Sequence, residues 1–285
     1  MLLFFYPLFV SAQAADTMLL RVFYSTGYKI YASEKAMRFD NSTVLDVGNG
    51  YSRFYSMRRK RSIEVFDSVY AHGGTVYDGM DACRKENVFS GPVNCDILKG
   101  KPADGVMTYQ YLLGDYVYEE PIPKYEWTYL QGDTIIAGYS CGKAVAAHRG
   151  RTWTVWYSLE IPVADGPWKL GGLPGLILLA EDARHDFSFS CIGIENGNGR
   201  TMYSTPHKNL NTSTPEKMED MRWLKYANEE MYDIQKYGAP VVRYDKYGRR
   251  VKRSSPYVPP CFIEYYNPAH NVDSNSTVAA GDDGK

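Results

Sequence analysis

The sequence predicts a mainly β fold: a strongly curved antiparallel sheet, either a sandwich or a partly open barrel, with one long helix in the C-terminal half. Three observations carry this expectation. The 285 residues include 25 Tyr, 11 Phe and 5 Trp, side chains that suit pleated, half-buried strands. Short runs of alternating apolar and polar residues recur between clusters of Gly, Pro, Asn and Asp. One segment, 214 to 237, carries apolar residues at helical spacing.

With 32 basic and 33 acidic side chains the chain has no global charge bias, and 44% hydrophobic against 23% charged residues is an ordinary globular balance. Disordered, coiled-coil and collagen-like readings are excluded. The expected organisation is a signal peptide over 1–14, a single β-rich domain over 15–266 and a disordered tail over 267–285.

The first element is the export signal. Residues Leu2 to Val10 are apolar, and Ala12-Gln13-Ala14 offers small residues to a signal peptidase, so cleavage is expected after Ala14. No Lys or Arg lies near Met1, and Asp16 interrupts the apolar run well before the ~18 residues a membrane span needs. A periplasmic or otherwise extracytoplasmic product follows, with no transmembrane segment in the mature chain. In that compartment disulfides are possible, and Cys83 and Cys95, flanking a polar loop with Gly91-Pro92, are the candidate pair. Reduced, buried cysteines are the alternative.

From Met18 to Phe66 the pattern favours strands, with a Gly48-Asn49-Gly50 turn between two of them. Residues 71 to 105 lack periodic apolar positions and read as an irregular excursion. From Val106 to Ile194 strand signals return at the spacing of an antiparallel meander. Within it, an Arg149-Gly150 turn would set Ala146 opposite Trp153, Ala144 opposite Val155 and Gly142 opposite Tyr157, small against large. On the other face Lys143 would stand over Trp156. Gly172, Pro174 and Gly175 read as turn residues, with Pro174-Gly175 suited to a type II turn entering a strand from Leu176. The helix follows: Thr214 as cap, Pro215 at the first position, and Met218, Met221, Leu224, Met231 and Ile234 along one stripe. A basic segment, Arg243 to Arg253, comes after it.

The run Gly172-Leu173-Pro174-Gly175-Leu176-Ile177 resembles the name-giving hexapeptide of the GLPGLI family. Further likeness lies in Gly138 to Ala144, Arg149-Gly150-Arg151, Trp156-Tyr157, Glu160-Ile161-Pro162, Gly166-Pro167-Trp168 and Ser52 to Ser56. The chain departs from that family's pattern at Ser140, Gly142 and His148. The resemblance, over roughly residues 18 to 265, implies an exported protein of Bacteroidetes-type bacteria, often associated with outer-membrane transport. It supplies no activity, cofactor or catalytic residue.

The histidines, at 72, 148, 185, 207 and 270, form no metal-binding spacing, and no Ser sits in a GxSxG elbow. Asp182, His185 and Asp186 are conceivable ligands, but read better as a solvated turn. Glu119-Glu120 and Glu181-Asp182 point to opposite faces if each pair lies on a strand. No catalytic residue, metal or cofactor is therefore expected, and no nucleic acid. Lys143, Arg149, Arg151, Trp153, Trp156, Trp168 and Lys169 are the candidate binding residues, combining aromatic area with fixed charge suited to an envelope protein partner or an anionic or amphipathic ligand. The alternative is that the tryptophans are core and the arginines cap turns. The expected function is partner or ligand binding without catalysis in the envelope; an extracytoplasmic hydrolase and a structural assembly factor are the other classes.

Overall fold

Alternation at Val22 and Tyr24, both fully buried, sets the inner face of β1 (Ala15–Tyr28). The computed structural model describes residues 15–31, 34–88, 93, 95–111, 116–203, 210–227, 243–244, 247, 249–251 and 263–266. The expected signal peptide, the tail, Cys261 and much of the basic segment lie outside them. β2 (Arg38–Gly48) and β3 (Ser52–Ser56) pair antiparallel, and the Gly48 amide donates to the Tyr51 carbonyl at 2.9 Å across the expected Gly-Asn-Gly turn.

The expected strand signal up to Phe66 ends early. Ser56 leaves the sheet and caps α1 (Met57–Ala71), its hydroxyl accepting from the Arg59 amide at 3.2 Å. Nor is 71 to 105 irregular. It holds α2 (Val76–Lys85), opened by a reciprocal capping box between Thr75 and Asp78, and β4 (Cys95–Lys99), buried at every residue. The proposed Cys83–Cys95 disulfide is absent: both thiols are free. Cys83 is buried between the two helices, 3.6 Å from the Ser62 hydroxyl, whereas Cys95 belongs to the sheet core.

The meander follows: β5 (Val106–Tyr111), β6 (Tyr116–Pro121), β7 (Thr128–Ile136), β8 (Tyr139–His148), β9 (Arg151–Ser158), β10 (Leu176–Asp182), β11 (Phe187–Asn196), then the short β12 (Thr201–Tyr203) and β13 (Asn211–Thr212). The β8–β9 register is the one expected, with Ala146 opposite Trp153, Ala144 opposite Val155 and Gly142 opposite Tyr157. Arg149 and Gly150 both take positive φ, 43° and 79°, as a two-residue hairpin turn requires. Pro174-Gly175 is different: Gly175 is not in the left-handed region. A Cβ there would lie 2.0 Å from the Ser158 carbonyl oxygen, so close backbone approach is what demands glycine. The positive φ falls on Gly172, at 81°.

α3 (Pro215–Ala227) begins where expected, with the Thr214 hydroxyl accepting from the Lys217 amide and Met218 joining the core. Its described length is 13 residues; the remainder of 214 to 237 lies outside the described residues. Three short helices thus stand among the described residues where one long one was expected. β14 (Arg243–Tyr244) and β15 (Arg250–Val251) pair as a separate two-stranded ribbon within the basic segment.

All other strands belong to one sheet in the order β13-β6-β5-β4-β3-β2-β1-β11-β10-β9-β8-β7, with β12 paired to β1. The sheet is not closed into a barrel, but it is tightly curled. β9 and β6 are eight steps apart, roughly 38 Å if flat at ~4.8 Å per step. Yet the Arg149 guanidinium, in the turn before β9, lies 2.8 Å from the Glu120 carboxylate on β6. Across the concavity Phe189 of β11 meets Phe54 of β3 edge to face and Trp153 of β9 at a tilt, with centroids 5.9 and 6.0 Å apart. The core fills this concave face.

Candidate functional site

Across β2 to β6, Val47, Ser52, Lys99, Met107 and Glu120 stand opposite one another in register, and so share one face. It is the concave one, because the next row holds Leu45, Phe54, Ile97, Tyr109 and Tyr118, all core residues. Two inward positions in the first row are therefore ionisable. Both are met by the 159–175 connection between β9 and β10, which lies over the concave face.

Lys99 Nζ donates to Asp165 Oδ1 at 2.5 Å, to the Gly166 carbonyl at 2.8 Å and to the Leu170 carbonyl at 2.9 Å. All three donors of the ammonium are thereby used. Burial pushes the Lys99 pKa down, against the raising effect of Asp165. From the loop side, fully buried Lys169 reaches Glu120 at 2.5 Å and the Tyr118 hydroxyl at 3.0 Å, and also contacts Glu264 and, at 2.9 Å, the Tyr266 hydroxyl. Burial would raise the Glu120 pKa, but the charges of Lys169 and Arg149 outweigh it and hold the carboxyl below its ordinary value. Two lysines, one from each partner, tie loop to sheet.

Between them lies a pocket of ≈ 240 Å³, walled on the sheet side by Ser52, Lys99 and Gly100 and on the loop side by Ala164, Asp165 and Gly172. Ser52 Oγ is buried without a hydrogen-bond partner. Asp165 Oδ1 takes Lys99 and the Gly166 amide, while Oδ2 accepts from no described residue. With the hydroxyl of Tyr51, another lining residue and likewise buried without a partner, these are the pocket's unused polar groups among the described residues. Ser52 stands directly opposite Lys99 but is not hydrogen-bonded to it, so no serine nucleophile is coupled to a base here.

The seven candidate binding residues do not form one exposed surface. Trp153 and Trp168 are core, 5.8 Å apart. Arg151 is buried with Asp182 at 2.5 Å and Asp186 at 3.0 Å, so that turn is not the solvated one expected, although His185 points away to Glu181 at 2.7 Å. Arg149 faces Glu120 and Glu264. Lys143 and Trp156 alone match the expectation of an accessible pair. They lie half-buried on the convex face, with the ammonium 5.2 Å from the ring centroid. The neutralising carboxylates come from remote segments, which a reading confined to the hairpin could not supply. Among the described residues no group of His, Cys, Asp and Glu is placed to hold a metal ion. Ser52, Lys99 and Asp165 were missed. The signal available was a Lys at an inward position of the short strand CDILK, where only a buried counter-charge would make it tolerable.

No curated protein matches the chain. The solved structures of PNGF-II in the P21 and C2 space groups resemble it with TM-scores of 0.47 and 0.46 at 14% identity, over 74% and 73% of this chain and 34% and 33% of theirs. The chain spans about a third of the length of those proteins. Residues 143–179, from β8 through most of β10 and including the whole loop, match the model of a family described as a protein of unknown function (Porph_ging).

Proposed function

We propose that this is an exported, non-catalytic binding protein of the cell envelope, and that its ligand enters the pocket between the 159–175 loop and the β3–β4 end of the sheet. The export half rests on the apolar run before Ala14 and the small residues at its end. The resemblance to the GLPGLI family supports the same compartment and an association with outer-membrane transport.

The binding half rests on one observation: the unpartnered polar groups of the pocket's lining residues are the Tyr51 and Ser52 hydroxyls and Asp165 Oδ2, while its lysines are already neutralised. An anionic ligand would find no unpaired cation there. A spare carboxylate oxygen and two hydroxyls, each able to donate as well as accept, in a pocket of balanced charge favour a neutral ligand that both donates and accepts hydrogen bonds, a polyol such as a sugar. Protein isolated from native envelopes should release a small hydroxylated molecule on denaturation, detected by mass spectrometry. Ala164→Trp, which fills the mouth from an exposed position, should abolish that release while leaving the fold intact. Equal recovery from both proteins, or none from either, would reject the pocket.

A hydrolase reading has one observation in its favour, the direct opposition of Ser52 and Lys99 across β3 and β4. A fluorophosphonate probe that labels active serines separates the two. Covalent labelling of Ser52 would overturn the non-catalytic assignment.

A further inference from the structure

The segment Ile263–Tyr266 meets the sheet as a bound peptide would. The Tyr265 amide donates to the Arg149 carbonyl at 3.0 Å. The Glu264 carboxylate sits between Lys169 Nζ and Arg149, 3.0 Å from the latter. The Tyr266 ring lies under the Arg149 guanidinium at 3.9 Å, and its hydroxyl donates to Glu120 at 2.9 Å. The Tyr265 ring is flanked by the guanidinium groups of Arg151 and Arg184 at 5.5 and 6.0 Å. Two backbone amides held, that of Tyr265 by the Arg149 carbonyl and that of Tyr266 by the Glu219 carboxylate of α3, one carboxylate between two cations and two rings against guanidinium groups make a recognition set that is specific in charge and in shape.

The charge balance of the site depends on this segment. Arg149 and Lys169 carry two positive charges, and the sheet itself offers them only Glu120 among the carboxylates they contact; Glu264 supplies the second. Without it, a cleft lined by Tyr118 and Tyr125 would keep one uncompensated cation, a site complementary to any acidic–aromatic chain. Contacts of this kind fix geometry well but add little net stability, since desolvation offsets much of their attraction.

We propose that the cleft formed by Arg149, Arg151 and Lys169 is a peptide-binding site for acidic–aromatic segments of a partner protein, held closed by the chain's own Ile263–Tyr266. The cleft adjoins the polyol pocket and shares Lys169 with it, but neither proposal requires the other. The probe is a fluorescein-labelled Ile-Glu-Tyr-Tyr peptide, titrated by anisotropy against the full chain. The variant Glu264→Gln/Tyr266→Ala, with its own segment weakened, should bind the peptide saturably and at least tenfold more tightly than wild type. A peptide with Gln in place of Glu should bind neither. A folded variant that fails to bind, or equal binding by variant and wild type, overturns the proposal.

Hydrogen exchange on the unmodified full chain tests the same idea without any risk to folding. The Tyr265 amide should exchange at least tenfold faster than the Ala146 and Trp153 amides of the β8–β9 hairpin, because the segment opens on its own. Exchange of Tyr265 only at the rate of those hairpin amides would show that it is an inseparable part of the fold and would reject the site.

Discussion

His148 ends β8 with its ring 4.9 Å from Tyr125 and with Nε2 buried and unbonded. Burial, and then the neighbouring Arg149, push its pKa below the ordinary value of about 6.5. Above that pH the ring is neutral in both folded and unfolded chains. As the pH falls below it, the unfolded chain takes up a proton that the folded chain resists, so stability is lost until the folded value is passed. Replacing His148 by Phe keeps the ring contact and removes the orphaned nitrogen. Urea denaturation should show a gain of about 1 kcal/mol and a flatter profile from pH 7.5 down to 5. Gly175 makes an opposite case. With a Cβ 2.0 Å from the Ser158 carbonyl oxygen, even Gly175→Ala should cost about 2 kcal/mol or more by overpacking. A turn requiring positive φ would have made the same residue essential for another reason, and both readings look identical in sequence. Glycine at this position was legible, but its cause was not.

At the scale of elements, the β8–β9 hairpin was legible to the residue because its information is local: small and large side chains alternate across a two-residue turn. The helices α1 and α2 were not. Only Ser62 and Val65 are buried along α1, too few to impose a helical period on its charged sequence. For α2, the Thr75–Asp78 capping box was present in the sequence and would have located the start. The 159–175 loop was legible as a set of turns, whereas its anchoring by Lys99 and Lys169 was not, because every partner is distant along the chain. That anchoring yields a prediction. Lys169→Met leaves Glu120 and Glu264 sharing Arg149 in a buried site, which should cost about 3–5 kcal/mol in chemical denaturation. Adding Glu264→Gln restores charge balance and should recover more than half of the loss. No recovery in the double variant would mean that the ammonium is needed for its four oxygen contacts and not for charge.

For the whole molecule, the composition and the turn spacing implied a curved sheet, but not that a single sheet would curl until β6 and the β8–β9 turn share an ion pair. Closure of this kind rests on pairs such as β1 with β11, which join strands more than a hundred residues apart and leave no local trace. An open sheet has edges, and β7 is a long one. Tyr129, Leu130 and Ile135 are 61%, 40% and 75% exposed along it, and such an edge would offer its free backbone groups to another chain. The ladder to β8 shifts register between Leu130 and Asp133, with Gly132 at φ 145°, so that Gln131 and Gly132 bulge out of the pairing. A bulge twists an edge strand out of the plane that a second strand would need. Deleting Gln131 and Gly132 together should leave every remaining β7 side chain on its present face, because Leu130 already pairs with Lys143 and Asp133 with Gly142. The strand would then be flat, unbroken and apolar at its rim. Light scattering with size-exclusion chromatography should show more association for the deletion variant than for wild type at equal concentration, with little change in far-UV circular dichroism. Equal association of the two proteins would mean that the bulge shapes the sheet's curl and not its exposure to other chains.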